Sequence, residues 1–156
     1  MVSEDGNQFT SEWKGRNDPD SPEMSVKSVE TRVAPGPAGA HAISGSWRTE
    51  KATNVSESLT IVKFKSVENG LEMSQSNGNS YSAKFDGKDY PYKGNPGITA
   101  VSLKRIDASH IQETDKRDGK VIAVVDMTVA PDGHTLTTAI HDKLAGTTFT
   151  IVSNKQ

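Results

Sequence analysis

The sequence predicts an all-β protein in which residues 44–156 form an antiparallel, up-and-down β-barrel of about nine strands. Three observations lead there. Helical periodicity is hard to find anywhere along the chain, and short alternating segments recur about every eight to twelve residues. The pairs Asn69-Gly70, Asn77-Gly78, Asp86-Gly87, Asp118-Gly119 and Asp132-Gly133 punctuate those segments with residues that accept the positive φ of tight turns.

The clearest strand spans 120–130, with Val121, Ala123, Val125, Met127 and Val129 on one face and Ile122, Val124, Asp126 and Thr128 on the other. Apolar residues on both faces predict a central strand carrying one polar residue, Asp126. Turn pairs on either side place it in a meander with strands at 109–115, 134–140 and 147–154. Upstream, strands are expected at 46–49, 58–66, 71–74, 80–85 and 99–106. That number suffices to close a barrel and remove exposed edges.

Residues 34–43 open with Ala34-Pro35-Gly36-Pro37-Ala38-Gly39-Ala40, which offers a core nothing and a sheet ladder few donors, so the segment reads as a linker. Before it, 1–33 reads as a β-hairpin with strands at 8–13 and 24–33 and a polar loop at 15–22. A lone hairpin is marginal in water and must find a surface to cover. Two internal matches bear on its origin. Residues 6–17 match 78–89 by type at most positions, and residues 5–10 match 132–137 more weakly. Chain order favours the weaker match, because each copy is then a penultimate strand followed by one last strand. On that reading the hairpin is the tail of a preceding repeat.

Composition excludes several functions. With 18 basic and 20 acidic residues spread along 156, there is no electrostatic footprint for nucleic acid. The absence of cysteine removes thiol nucleophiles, disulfides and thiolate metal sites. No apolar run approaches the roughly 20 residues of a transmembrane span. Met1 to Gly6 lacks the basic and apolar regions of a secretory signal, so export is expected to need a leader outside this sequence.

Gly45-Ser46-Trp47, the run from Tyr81 to Gly87, Tyr92-Lys93-Gly94-Asn95-Pro96, the run from Val101 to Ile106 and the run from Glu113 to Val121 together resemble a group of small bacterial lipocalin-like, calycin-type proteins. Some of these carry two such units in tandem behind a secretory leader. The resemblance implies a lipocalin-like barrel whose Trp47 closes one end, a truncated first unit, and a periplasmic or secreted location. It implies no particular ligand or reaction. Where lipocalins set an arginine near the chain end against that tryptophan, this sequence has Lys155.

Candidate site residues follow from parity and burial. Tyr81, Ala83 and Phe85 share one strand face, and Tyr90 and Tyr92 follow closely. Facing inward, Tyr81, Tyr92, Phe85 and Trp47 would line a barrel mouth with apolar surface and phenolic tips, as a small-molecule site requires, with side-chain packing as the alternative. The Pro- and Gly-rich stretch 89–97 reads as a lid or an ordinary connection. For acid–base work a carboxylate must be held out of water, and Asp126 is the foremost candidate, with Glu113, on the face of Ile111, second. The alternative for Asp126 is a solvated position or a pairing with Lys104 or Arg105.

Of the four histidines, His41 and His134 read as solvated, while His110 and His141 lie at strand ends from which either could face a pocket. None has metal-ligand spacing. There is no Gly-x-Ser-x-Gly elbow, and Gly94-Asn95-Pro96-Gly97 lacks the Lys-Ser or Lys-Thr of a phosphate loop. The sequence therefore points first to non-enzymatic binding of a small apolar or amphipathic molecule, without cofactor or metal. The alternatives are a structural or interaction repeat module of a larger exported protein, and an enzyme using Asp126 or Glu113 as general base.

Overall fold

Alternation is translated into strands almost everywhere in the computed structural model, which describes residues 1–16, 19 and 22–156. Of the loop expected at 15–22, residues 17, 18, 20 and 21 lie outside the described residues. The chain divides into two units, Met1–Ile61 and Val62–Gln156.

In the first unit, β1 (Gln8–Gly15), β2 (Met24–Pro35) and β3 (Gly45–Thr53) form an antiparallel sheet with β2 in the middle. A four-residue helical turn, α1 (Glu57–Thr60), follows. The expected strand at 58–66 is therefore helical at its start. One face of the sheet carries Phe9 against Trp47, ring centroids 5.7 Å apart. Arg32 lies over the Trp47 ring at 4.1 Å and donates hydrogen bonds to the carbonyls of Gly6 (2.6 Å), Ser44 (2.5 Å) and Ala42 (2.5 Å). Within this unit the base that meets the tryptophan is thus Arg32.

The second unit contains two sheets. A small one orders β4 (Lys63–Val67), β5 (Gly70–Ser74) and β6 (Ser80–Lys84) in sequence. The larger runs from β7 (Tyr90–Pro91) through β8 (Ala100–Arg105), β9 (His110–Arg117), β10 (Lys120–Val129) and β11 (Thr135–Asp142) to β12 (Thr147–Asn154), each strand pairing with the next. Asp118 and Gly119 take φ of 50° and 79°, the turn conformation that matches the twist of a β9–β10 hairpin. Met73, Tyr81 and Ala83 meet Val101 and Leu103 in the core, and Val62, Leu71, Phe85, Tyr90 and Tyr92 pack around them.

The fold is thus all-β and antiparallel, but the described strands form three sheets and no closed barrel. The strand expected to open the barrel at 46–49 is β3, and it pairs with β2. The two compact units meet in sequence at Ile61 and Val62, so β3 belongs to the first of them. The stretch 89–97 is stitched down rather than free. Ser80 and Lys93 exchange backbone hydrogen bonds of 3.1 and 2.9 Å, and Gly94, at φ 83°, approaches Gly78 so closely that a Cβ would sit 2.3 Å from its carbonyl oxygen.

Leu103 is fully buried, whereas Val152 on β12 is 63% exposed. Leu103→Ala should lower stability by about 3 kcal/mol in urea titration, and Val152→Ala by less than about 0.5 kcal/mol. Equal losses would mean that the core does not sit between β6 and β8.

Candidate functional site

Polar side chains gather on both faces of the large sheet, and the two faces treat them oppositely. Strand parity puts Ile111, Glu113 and Asp115 on the inner face of β9 and His110, Gln112, Thr114 and Lys116 on the outer one. The register then sets Glu113 between Leu103 of β8 and Val125 of β10, and Asp115 between Val101 and Ala123.

On the inner face, Tyr81 donates its hydroxyl to Glu113 Oε2 at 2.5 Å, and the Tyr92 ring lies 5.9 Å from the Tyr81 ring. Glu113 and Asp115 are both buried, at 8% and 7% exposure. Burial, then the neighbouring Asp115 charge, pushes the Glu113 carboxyl well up, and burial raises Asp115 too. The two carboxyls lie together out of water, so the pair keeps a proton above the usual carboxylate range. Burial and the Glu113 charge also push both tyrosine hydroxyls up, keeping them neutral donors. Asp115 Oδ1 is buried without a hydrogen-bond partner among the described residues. Chemically, the cluster can hold a proton at neutral pH and offer one free oxygen to a donor.

On the outer face, Asp126 Oδ1 lies 3.0 Å from His110 Nε2 and accepts from Gln112 Nε2 at 3.1 Å. His141 Nε2 is 3.2 Å from Oδ2, and its Nδ1 lies 3.1 Å from Thr148 Oγ1. Burial raises the Asp126 pKa, but hydrogen bonds from Gln112 and His110, with the histidine charges, outweigh it and hold the carboxyl below its ordinary value. This is opposite to what a general base at neutral pH requires. The line Thr148–His141–Asp126 has the order of a hydroxyl–imidazole–carboxylate relay, yet it crosses an open sheet face where water competes for every bond.

The structure brings together two expected residues, Tyr81 and Tyr92, and adds Glu113, the second general-base candidate, to them. Phe85 packs against the same core but shows no polar contact there. Asp126 sits on the opposite face of the sheet, and its partners are His110, His141 and Gln112 rather than Lys104 or Arg105. Trp47 belongs to the first unit, where its Nε1 donates to Ile43 O at 2.8 Å. Asp115 escaped sequence reasoning, although the parity that flagged Glu113 also places Asp115 on that face. An open recess of about 540 Å³ in the first unit, bordered by Met1, Ser11, Glu12 and Lys27, holds none of the expected site residues. Among the described residues, no group of three or more His, Asp or Glu could hold a metal ion. No helix among them is long and apolar enough to cross a membrane.

No family model, curated protein or solved structure matches this chain.

Because the folded Glu113 carboxyl titrates higher than its unfolded counterpart, the native state binds more protons between the ordinary 4.5 and about 8. Stability is therefore fullest at the acid end of that window and falls as pH rises through it. Melting temperature should drop between about pH 5 and about pH 8, and Glu113→Gln should flatten the drop. An unchanged slope in that variant would show that Glu113 titrates normally.

Proposed function

We propose that this protein is an interaction module that takes a partner's strand on the open edge of β12. The observation that carries this reading is the composition of the outer strands. An outer strand presents unpaired backbone groups, and proteins ordinarily blunt it with charge, proline or shortness. Among the described strands, β1 carries Glu12 and Lys14, β3 carries Arg48, Glu50 and Lys51, β4 carries Lys63 and Lys65, β6 carries Lys84, and β7 is two residues long with Pro91. β12, Thr-Thr-Phe-Thr-Ile-Val-Ser-Asn, has neither charge nor proline over eight residues. Phe149 is 51% exposed and Ile151 47% exposed. Such an edge is built to be covered.

An uncovered edge of this kind should make the protein self-associate as concentration rises in sedimentation velocity. Thr150→Lys should keep it monomeric while changing stability by less than about 0.5 kcal/mol. A wild-type chain that stays monomeric throughout would count against the reading.

A second reading, the binding of a small apolar or amphipathic molecule in the second unit, is favoured by the unpartnered Asp115 Oδ1 beside two tyrosines. Native mass spectrometry should then show a small molecule retained by the wild-type chain and lost in Tyr92→Ala. Bare chain mass in the wild type decides against it.

A further inference from the structure

The two hairpins β1–β2 and β11–β12 share a set of backbone bonds at their open ends. Ser3 N donates to Gln8 O at 2.8 Å, and Ala130 N donates to Thr135 O at 2.8 Å. Gly6 N donates to Ser3 O and Gly133 N to Ala130 O, both at 2.9 Å, with φ of 71° and 69° at the two glycines. Asp5 Oδ1 accepts from Asn7 N, as Asp132 Oδ1 accepts from His134 N. Val2 bridges Phe9, as Val129 pairs with Leu136. At the far end Arg32 N donates to Asn7 O at 2.9 Å, and Lys155 N to His134 O at 2.8 Å. Gln8 pairs with Thr31 as Thr135 pairs with Asn154.

This correspondence sets Phe9 against Leu136, Val26 against Phe149, Ser28 against Ile151, Val29 against Val152 and Arg32 against Lys155. The outer edge of β2 is the same edge, in the same frame, as the open edge of β12. On β2 that edge is occupied, because β3 runs along it with Ser28 opposite Ala52, Val29 opposite Lys51 and Arg32 opposite Trp47.

We propose that the β12 edge docks a strand of the β3 kind, opening Gly-x-Trp and continuing with a charged and Thr-containing run like the Arg-Thr-Glu-Lys-Ala-Thr of β3, supplied by a separate module of similar build. The proposal rests on the reading of β12 as a docking edge and names its partner. In the register that β2 uses, Ile151 lies opposite the residue in the place of Ala52, and Val152 opposite the one in the place of Lys51. The docked tryptophan comes beside Leu136 and Lys155, as Trp47 comes beside Phe9 and Arg32. Trp47 offers the largest apolar surface on β3, and aromatic anchors of this kind dominate interface energies. A second copy of this chain offers its own β3 with that edge already paired to β2, Arg32 lying over its Trp47 ring and bonded to the carbonyls of Ala42 and Ser44 just before it. The docking strand is therefore one whose matching edge is free.

The chain has no cysteine, which permits a direct test. A labelled peptide of residues 42–54 presents β3 with both edges free. It should bind the full chain in fluorescence anisotropy, at least about tenfold more tightly than a scrambled peptide or one carrying Trp47→Ala. A peptide with Lys51→Cys should form a disulfide with Val152→Cys protein, and a peptide with Arg48→Cys should not. Equal binding of the scrambled peptide, cross-linking indifferent to position, or no binding overturns the proposal. If the chain self-associates through β12 yet ignores the peptide, the docking edge stands and only its proposed partner falls. If both fail, both readings fall.

Discussion

Arg32 holds β3 on the first hairpin, and where the sheets end depends on that attachment. Its guanidinium is spread between three backbone carbonyls while its face lies on the Trp47 ring, so charge, hydrogen bonding and apolar contact act through one side chain. A strand has two edges and can give each to only one neighbour. Because β3 gives one to β2, the strand expected at 46–49 to open the barrel is spent in the first unit. The large sheet is left ending on β12, and the small one on β4. The charges on β4 make its exposure tolerable; β12 carries no such protection.

A second constraint operates within the large sheet. Successive residues of β9 meet opposite environments, so carboxylates one strand apart titrate in opposite directions. Glu113 and Asp115 share the buried inner face with Val101, Leu103 and Val125, and burial raises both. Asp126 faces outward among His110, Gln112 and His141, and donors with partial or full positive charge lower it. Composition does not decide this. The face that a strand position occupies, and the partners waiting there, decide the direction.

Much of the local architecture was legible in the sequence. The strand expected at 147–154 coincides with β12, and 120–130 with β10 to within one residue, because alternation and Asx-Gly turns are local signals. Parity also placed Tyr81, Ala83 and Phe85 on one face, which the structure sets against the core, and Glu113 with Ile111. What parity cannot supply is register. His110 and His141 lie far from Asp126 along the chain, and only the pairing of β9, β10 and β11 sets them on either side of it. Nor could the partner of β3 be read locally. Gly45-Ser46-Trp47 carries no signal of which strand it pairs with, and the structure pairs it with β2. The weak match between 5–10 and 132–137 carried that ambiguity.

The difference between the twin hairpins lies in their last base. At the position where β2 has Arg32, β12 has Lys155, and the two bases are not interchangeable. A planar guanidinium with five donors can bridge the carbonyls of Gly6, Ala42 and Ser44 and still stack on the ring. An ammonium is a compact, strongly hydrated charge that cannot present a flat face to an aromatic ring. Leu136 in place of Phe9 likewise gives up one aromatic contact with a docked tryptophan. The first hairpin is therefore the tighter of the two holders. It keeps its β3 as part of the fold, while β12 makes a weaker grip on the same kind of strand, suited to a partner that arrives and leaves.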